Sequence, residues 1–174
     1  LLMALVLASG CAPKPEYDIV IYGGTSAGVV AAVQAAKLGR KTVLIESSAH
    51  LGVLTTGGLG ATDIGNKAAI GGLSLDFYRR VAQYYRSDSA WVYEKPADYR
   101  SGRGYDVDAE TMWTFEPRVA EQIINQMLAE SNVPLVSGER LDRSAGSVVK
   151  DGARIVSIRM ESGRVFSGAM FIDA

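Results

Sequence analysis

Residues 17–46 read YDIVIYGGTSAGVVAAVQAAKLGRKTVLIE, and few folds can accept such a segment. Tyr17–Tyr22 is a short apolar run rich in β-branched residues and closed by Gly23-Gly24, the pattern of a strand buried on both faces. From Thr25 to about Leu38 the chain turns to alanine and valine without a breaker, then meets Gly39, which predicts a helix of small residues with a glycine stop. Lys41–Glu46 is a second buried strand. Strand, helix and strand make one βαβ unit. The expected fold is therefore α/β, a Rossmann-like domain with a parallel sheet.

The turn inside that unit departs from G-x-G-x-x-G at its middle position. Gly23 and Gly28 stand in place, and Thr25 replaces the second glycine. Gly23 suits the tight exit from the strand, Gly28 lets the helix approach the sheet, and the helix start offers N–H groups to a pyrophosphate. Thr25 carries a branched Cβ that disfavours a positive φ, but its hydroxyl can cap the helix or donate to a phosphate oxygen. Glu46, eighteen residues after Gly28 at the end of the second strand, is placed to accept ribose hydroxyls. A carboxylate there favours an unphosphorylated ribose, hence FAD or NAD rather than NADP. The same residues also suit a doubly wound domain with an ordinary helix cap and no nucleotide.

Beyond Glu46 the chain is Gly-rich and aperiodic from Ser47 to Gly72, and so long a loop is usually functional. Ser74 is expected to cap a helix to about Arg86, with Phe77, Val81 and Tyr84 or Tyr85 on one face. Residues 87–112 show no period and carry Trp91, Tyr93, Tyr99 and Tyr105. They suit an ordered excursion facing substrate, and equally a surface insertion packed by its own aromatics. Pro117 suits the first turn of a helix whose stripe runs from Val119 to Leu128 and which ends near Glu130. Val133–Ser137 reads as a strand, residues 139–169 as a small antiparallel meander with turns at Ala145-Gly146, Asp151-Gly152 and Ser162-Gly163, and AMFIDA as a further strand.

The first residues, LLMALVLASG, form an apolar run too short to span a bilayer, followed by Cys11 and the polar tether APKPE. The run reads as the back half of a secretory signal, or as a buried N-terminal strand or helix. Small residues before a cysteine also resemble a bacterial lipobox, in which Cys11 would be the lipid attachment site. Residues 1–16 are then signal and tether, 17–174 the domain, and the chain is expected to continue at both ends. The localisation that follows is the cell envelope or periplasm, with membrane contact only through a lipid anchor. Cys11 is the only cysteine, so no internal disulfide forms, and His50 is the only histidine, with no metal-ligand spacing around it. A net charge of −1 gives no electrostatic case for nucleic acid.

Four stretches resemble the FAD-dependent oxidoreductase family with the glutathione-reductase-type FAD fold: the segment 17–46, HLGVLTTGGLGATDIG, IGGLSLDFYRRV and FEPRVAEQIINQML. The final FIDA resembles the start of that family's F-I-D-A-T-G-D-G strand and turn. The nearest group is the bacterial secreted set whose turn reads G-G-T-x-A-G, in which Thr25 is normal. The resemblance implies FAD as cofactor and no metal. It places Gly23, Gly24, Thr25, Ser26, Ala27 and Gly28 around the pyrophosphate and Glu46 at the adenosine ribose, with Ser47 also among the cofactor-binding residues. It runs Gly52–Gly58 along the cofactor, with Thr55, Thr56 and Gly57 nearest the flavin half, and has Leu141 offer backbone to adenine. The implied activity is transfer of a hydride or electrons to the flavin from an organic substrate, carbohydrate-like or another small molecule, and onward to an acceptor; no acid or base is assigned. The segment after Glu46 has no cysteine, which disfavours dithiol reductase chemistry. His50 stands where some flavoproteins bond covalently to flavin, although a plain loop histidine fits as well. The rival readings are an NAD-linked dehydrogenase on the same βαβ unit and a lipid-anchored binding or scaffold protein without redox function.

Overall fold

The computed structural model describes residues 14–63, 65–96, 99 and 110–174. Cys11, with the apolar run before it, and Tyr105 lie outside the described residues. The opening βαβ unit forms as its pattern dictates: β1 is Tyr17–Tyr22, α1 is Ser26–Lys37 and β2 is Thr42–Glu46. Then come α2 at Gly72–Tyr84, α3 at Pro117–Glu130, β3 at Leu135–Ser137, β4 at Val148–Asp151, β5 at Arg154–Arg159 and β6 at Val165–Asp173. One six-stranded sheet results, in the order β3-β2-β1-β6-β5-β4. β3, β2, β1 and the second half of β6 run parallel, while β4, β5 and the start of β6 are antiparallel.

The alternation of side chains along β1 and β2 divides the core. Ile21 and Leu44 face the helices, where they join Val29 and Val33 of α1, Phe77 and Val81 of α2 and Ile123 and Ile124 of α3. Val20, Val43 and Ile45 face the other way and pack with Ile158, Met160 and Phe166 of the meander. Both faces of these strands are thus covered, as a continuous apolar run requires.

Three expectations shift. α2 begins two residues before Ser74, with Gly71 at the cap position and no side-chain capping bond. Its buried residues are Phe77, Val81 and Ala82, Tyr85 at the C-cap is buried as well, and Tyr84 is only partly buried. The strand expected over 133–137 is shorter, Leu135–Ser137. Most notably, AMFIDA is not a separate strand. It is the second half of β6, which starts at Val165 against β5 and continues along β1, pairing Tyr17 with Gly168 and Tyr22 with Asp173. Gly168 sits where β6 changes partners, and a Cβ there would lie 2.8 Å from Val20 Cγ2. A glycine inside a strand marks such a close approach.

Within the described part of 87–112 a short 3-10 helix spans Asp88–Ala90. Trp91 lies 5.4 Å from Tyr85 and 5.3 Å from Tyr99 between ring centroids. Tyr93 by contrast is 88% exposed.

Candidate functional site

The site forms where β1 leaves the sheet. In parallel α/β sheets, ligands bind beyond the carboxyl ends of the strands, where neighbouring connections diverge. Here β2 and β6 flank β1 on opposite sides, and the 23–28 turn opens above them. Gly23 has φ +109, a left-handed value that costs glycine nothing and a β-branched residue a great deal. A Cβ at Gly28 would lie 2.0 Å from the Gly23 carbonyl oxygen, so only glycine lets α1 begin this close to the strand.

Thr25 needs no unusual backbone. Its φ is −64 and its ψ 168, the extended geometry of a helix cap, and its Oγ1 accepts the Gly28 N–H at 3.0 Å. The first ladder bond runs from the Val29 N–H to the Thr25 carbonyl at 2.9 Å. The Ser26 and Ala27 amides precede it and belong to the donor end of the helix dipole, where an anionic group is favoured. As an acceptor toward Gly28, the Thr25 hydroxyl keeps its own proton for a phosphate oxygen. Capping and phosphate donation are therefore compatible roles.

Glu46 is nearly buried, 6% exposed, at the end of β2. Its Oε2 accepts the Gly24 N–H at 2.5 Å, while its Oε1 accepts the Ser48 N–H at 2.7 Å and the Ser47 hydroxyl at 3.2 Å. Burial alone would push its carboxyl up, but the Gly24 amide and the bonds from Ser48 and Ser47 outweigh it and hold the group below its ordinary value. Glu46 is ionised at neutral pH and ties the glycine turn to the loop after β2. One lone pair remains on Oε2, and a second opens if the Ser47 hydroxyl rotates away. That capacity matches the vicinal hydroxyls of a ribose.

The Gly-rich segment returns to the same turn. The Gly52 N–H donates to the Gly24 carbonyl at 2.8 Å, and Ser26 Oγ donates to Thr55 Oγ1 at 2.7 Å. Thr56 Oγ1 donates to the Leu51 carbonyl at 2.6 Å, and a Cβ at Gly57 would lie 2.7 Å from the Val53 carbonyl oxygen. Between these residues Val53 has φ +45, an outlier for a β-branched side chain, and Leu54 is 72% exposed. The structure thus brings Gly23, Gly24, Thr25, Ser26, Ala27, Gly28, Glu46, Ser47, Gly52 and Thr55 into one neighbourhood.

Leu141 stands at its margin. The Leu141 N–H donates to the Tyr22 hydroxyl at 3.0 Å, which pins the loop after β3 over the end of β1. His50 is separate again: its Nδ1 lies 2.8 Å from Glu121 Oε1 on α3, and its side chain is 77% exposed. Among the described residues, no group of three or more metal-ligating side chains occurs. Sequence reasoning missed the Ser48 amide, which no pattern marks, and the Tyr22 hydroxyl, which in sequence is merely the last residue of a strand.

The buried carboxylate, the capped helix start and the glycine cradle fit the adenosine and pyrophosphate of a dinucleotide. Several solved structures share this fold. THI4 of Thermovibrio ammonificans superposes with a TM-score of 0.56 at 14% identity over 91% of this chain and 57% of its own. The FAD-bound form of OTEMO gives 0.54 at 11% identity, covering 93% and 26%. A flavin-containing monooxygenase from Stenotrophomonas maltophilia gives 0.53 at 15% identity, covering 91% and 38%. The chain therefore spans between about a quarter and somewhat over half the length of these structures, and at such identities they speak to fold alone. No curated protein matches the chain. A family model described as FAD dependent oxidoreductase matches residues 18–174, which is nearly everything from β1 onward. The chain belongs to the FAD-dependent oxidoreductase family.

Proposed function

We propose that residues 17–174 hold FAD in an oxidoreductase whose flavin accepts a hydride or electrons from a small organic substrate. The observation that carries this reading is the Glu46 carboxylate clamped on the Gly24 amide beside the Thr25-capped start of α1. In it Glu46 orients the adenosine ribose. The Ser26 and Ala27 amides and the Thr25 hydroxyl hold the pyrophosphate, and the 52–57 segment runs toward the flavin half. The redox chemistry is the cofactor's; the protein binds it, aims it and keeps water and side reactions away. The Ser26–Thr55 hydroxyl pair fixes the glycine turn against the Gly-rich segment, so the two contact regions cannot drift apart. The small-residue-cysteine pattern around Cys11 supports a lipid-anchored place in the cell envelope.

The test is flavin absorbance on titration of FAD into the full-length protein. Wild type is expected to bind, and Gly23→Val and Gly28→Val to lose binding, because each would set side-chain carbon 2.2 Å or less from a backbone oxygen. Val variants that fold and bind FAD as wild type does would refute the reading.

A further inference from the structure

A cavity of about 350 Å3 opens beside the C-terminal end of α2 and shares no residue with the 23–28 turn. That volume lies at the small end of the range for small-molecule sites. Its walls are the rings of Tyr85, Trp91, Tyr93, Tyr99 and Phe115. Their polar atoms are mostly engaged already. Trp91 Nε1 donates to the Tyr85 carbonyl at 2.8 Å, and the hydroxyls of Tyr99 and Thr114 bond to each other. The Tyr85 hydroxyl accepts the Glu116 N–H at 2.9 Å and donates to the Glu116 carboxylate at 3.1 Å. Burial pushes the Tyr85 phenol up, so it stays a neutral donor.

Aromatic faces and carboxylate charge are what remain for a ligand. Glu116 is paired with Arg118 at 3.0 Å. Glu94 is exposed and, among the described residues, has no ion-pair partner. None of the described lining residues is a lysine, arginine or histidine. Ring faces are negative at their centres and attract cations, most strongly where water is displaced. A polyol would find few unspent hydrogen-bonding groups here, and an anion would meet the charge of Glu94.

We propose that this cavity binds an organic ammonium compound, its apolar body against Trp91, Tyr99 and Phe115 and its cationic nitrogen beside Tyr93 and Glu94. The cavity wall is also tied to the Gly-rich segment: the Phe115 N–H donates to the Gly60 carbonyl at 2.8 Å, just beyond the residues assigned to the flavin half. A cavity joined to that segment is placed to serve as the substrate subsite. That role rests on the flavoenzyme reading, whereas the binding itself does not.

The test is calorimetric titration of the full-length protein, FAD-free and FAD-loaded, with phenethylammonium, neutral 2-phenylethanol and methyl glucoside. Phenethylammonium is expected to bind saturably in both forms, at least about threefold tighter than the alcohol, the scale of one cation–π or charge contact. The glucoside is expected not to bind. Tyr93→Ala and Glu94→Gln, both at exposed positions, should each weaken the ammonium by about threefold and leave the alcohol unchanged. Equal binding of ammonium and alcohol, binding of the glucoside, no binding of the ammonium, or no effect of either variant would overturn the proposal. Ammonium binding by protein that takes up no FAD would support this site while removing the flavoenzyme reading, so the two failures are distinguishable.

Discussion

Glu46→Gln tests the centre of the site. The carboxylate accepts from three donors, of which the Gly24 and Ser48 amides are the shortest contacts, at 2.5 and 2.7 Å. Glutamine offers one carbonyl oxygen and one NH2. Whichever way the amide turns, its NH2 opposes one backbone N–H, and the site is too buried for water to replace the lost acceptor. Losing a hydrogen bond to a charged acceptor and leaving a buried donor unpaired together cost roughly 3 kcal/mol. The pH dependence has a definite sign. The native carboxyl lies below its ordinary value, so the contribution is fully present above the unfolded pKa of about 4.3 and is lost as pH falls through the native pKa. Urea denaturation of FAD-free full-length wild type and variant should show a gap of about 3 kcal/mol at neutral pH that narrows on acidification. A neutral-pH gap under about 0.5 kcal/mol, within the range of an ordinary surface change, or a gap that widens in acid, would refute the clamp.

Two further substitutions separate the parts of the site. Thr25→Ala removes the cap on the Gly28 amide and should destabilise by about 1 kcal/mol, whereas Thr25→Gly should cost only a few tenths and retain FAD binding; urea midpoints and FAD titration check both. Val53→Gly relieves a β-branched residue held at φ +45, and should stabilise the FAD-free protein by up to about 1 kcal/mol after the entropy cost of glycine, read as a higher urea midpoint. A Val53→Gly protein clearly less stable than wild type would show that the side chain is held by packing rather than strained.

The parts of the molecule legible in the sequence are those whose physics is local. β1, α1 and β2 follow from apolar runs, a breaker-free alanine stretch and glycines at the exits, and their bounds come out within a residue or two. Thr25 as a cap was legible for the same reason, because capping is a bond between residues three apart. The start of α2 misleads because its cap and first residue are Gly71 and Gly72, and the nearest capping side chain, Ser74, lies inside the first turn. There the buried face formed with Val81 and Phe77, rather than a cap, decides that the helix exists. In sequence β6 reads as two pieces, the end of the meander and AMFIDA, with Gly168 between them. In the fold that glycine lets one strand serve the meander at one end and the parallel sheet at the other.

The site is different again, because its geometry is built from contacts between segments far apart in sequence. Glu46 could be placed at a ribose by its spacing from Gly28, but nothing local says that it also anchors Gly24 and Ser48. This double use has a consequence. A carboxylate that holds the turn before any ligand arrives does not have to be reoriented when the dinucleotide binds, so less of the binding free energy goes into ordering. It also couples fold and function: a change at Glu46 cannot weaken the ribose contact without loosening the turn that receives the phosphates. Stability and cofactor affinity should therefore fall together at Glu46, whereas Thr25→Gly, which spares the helix start, should leave both nearly intact.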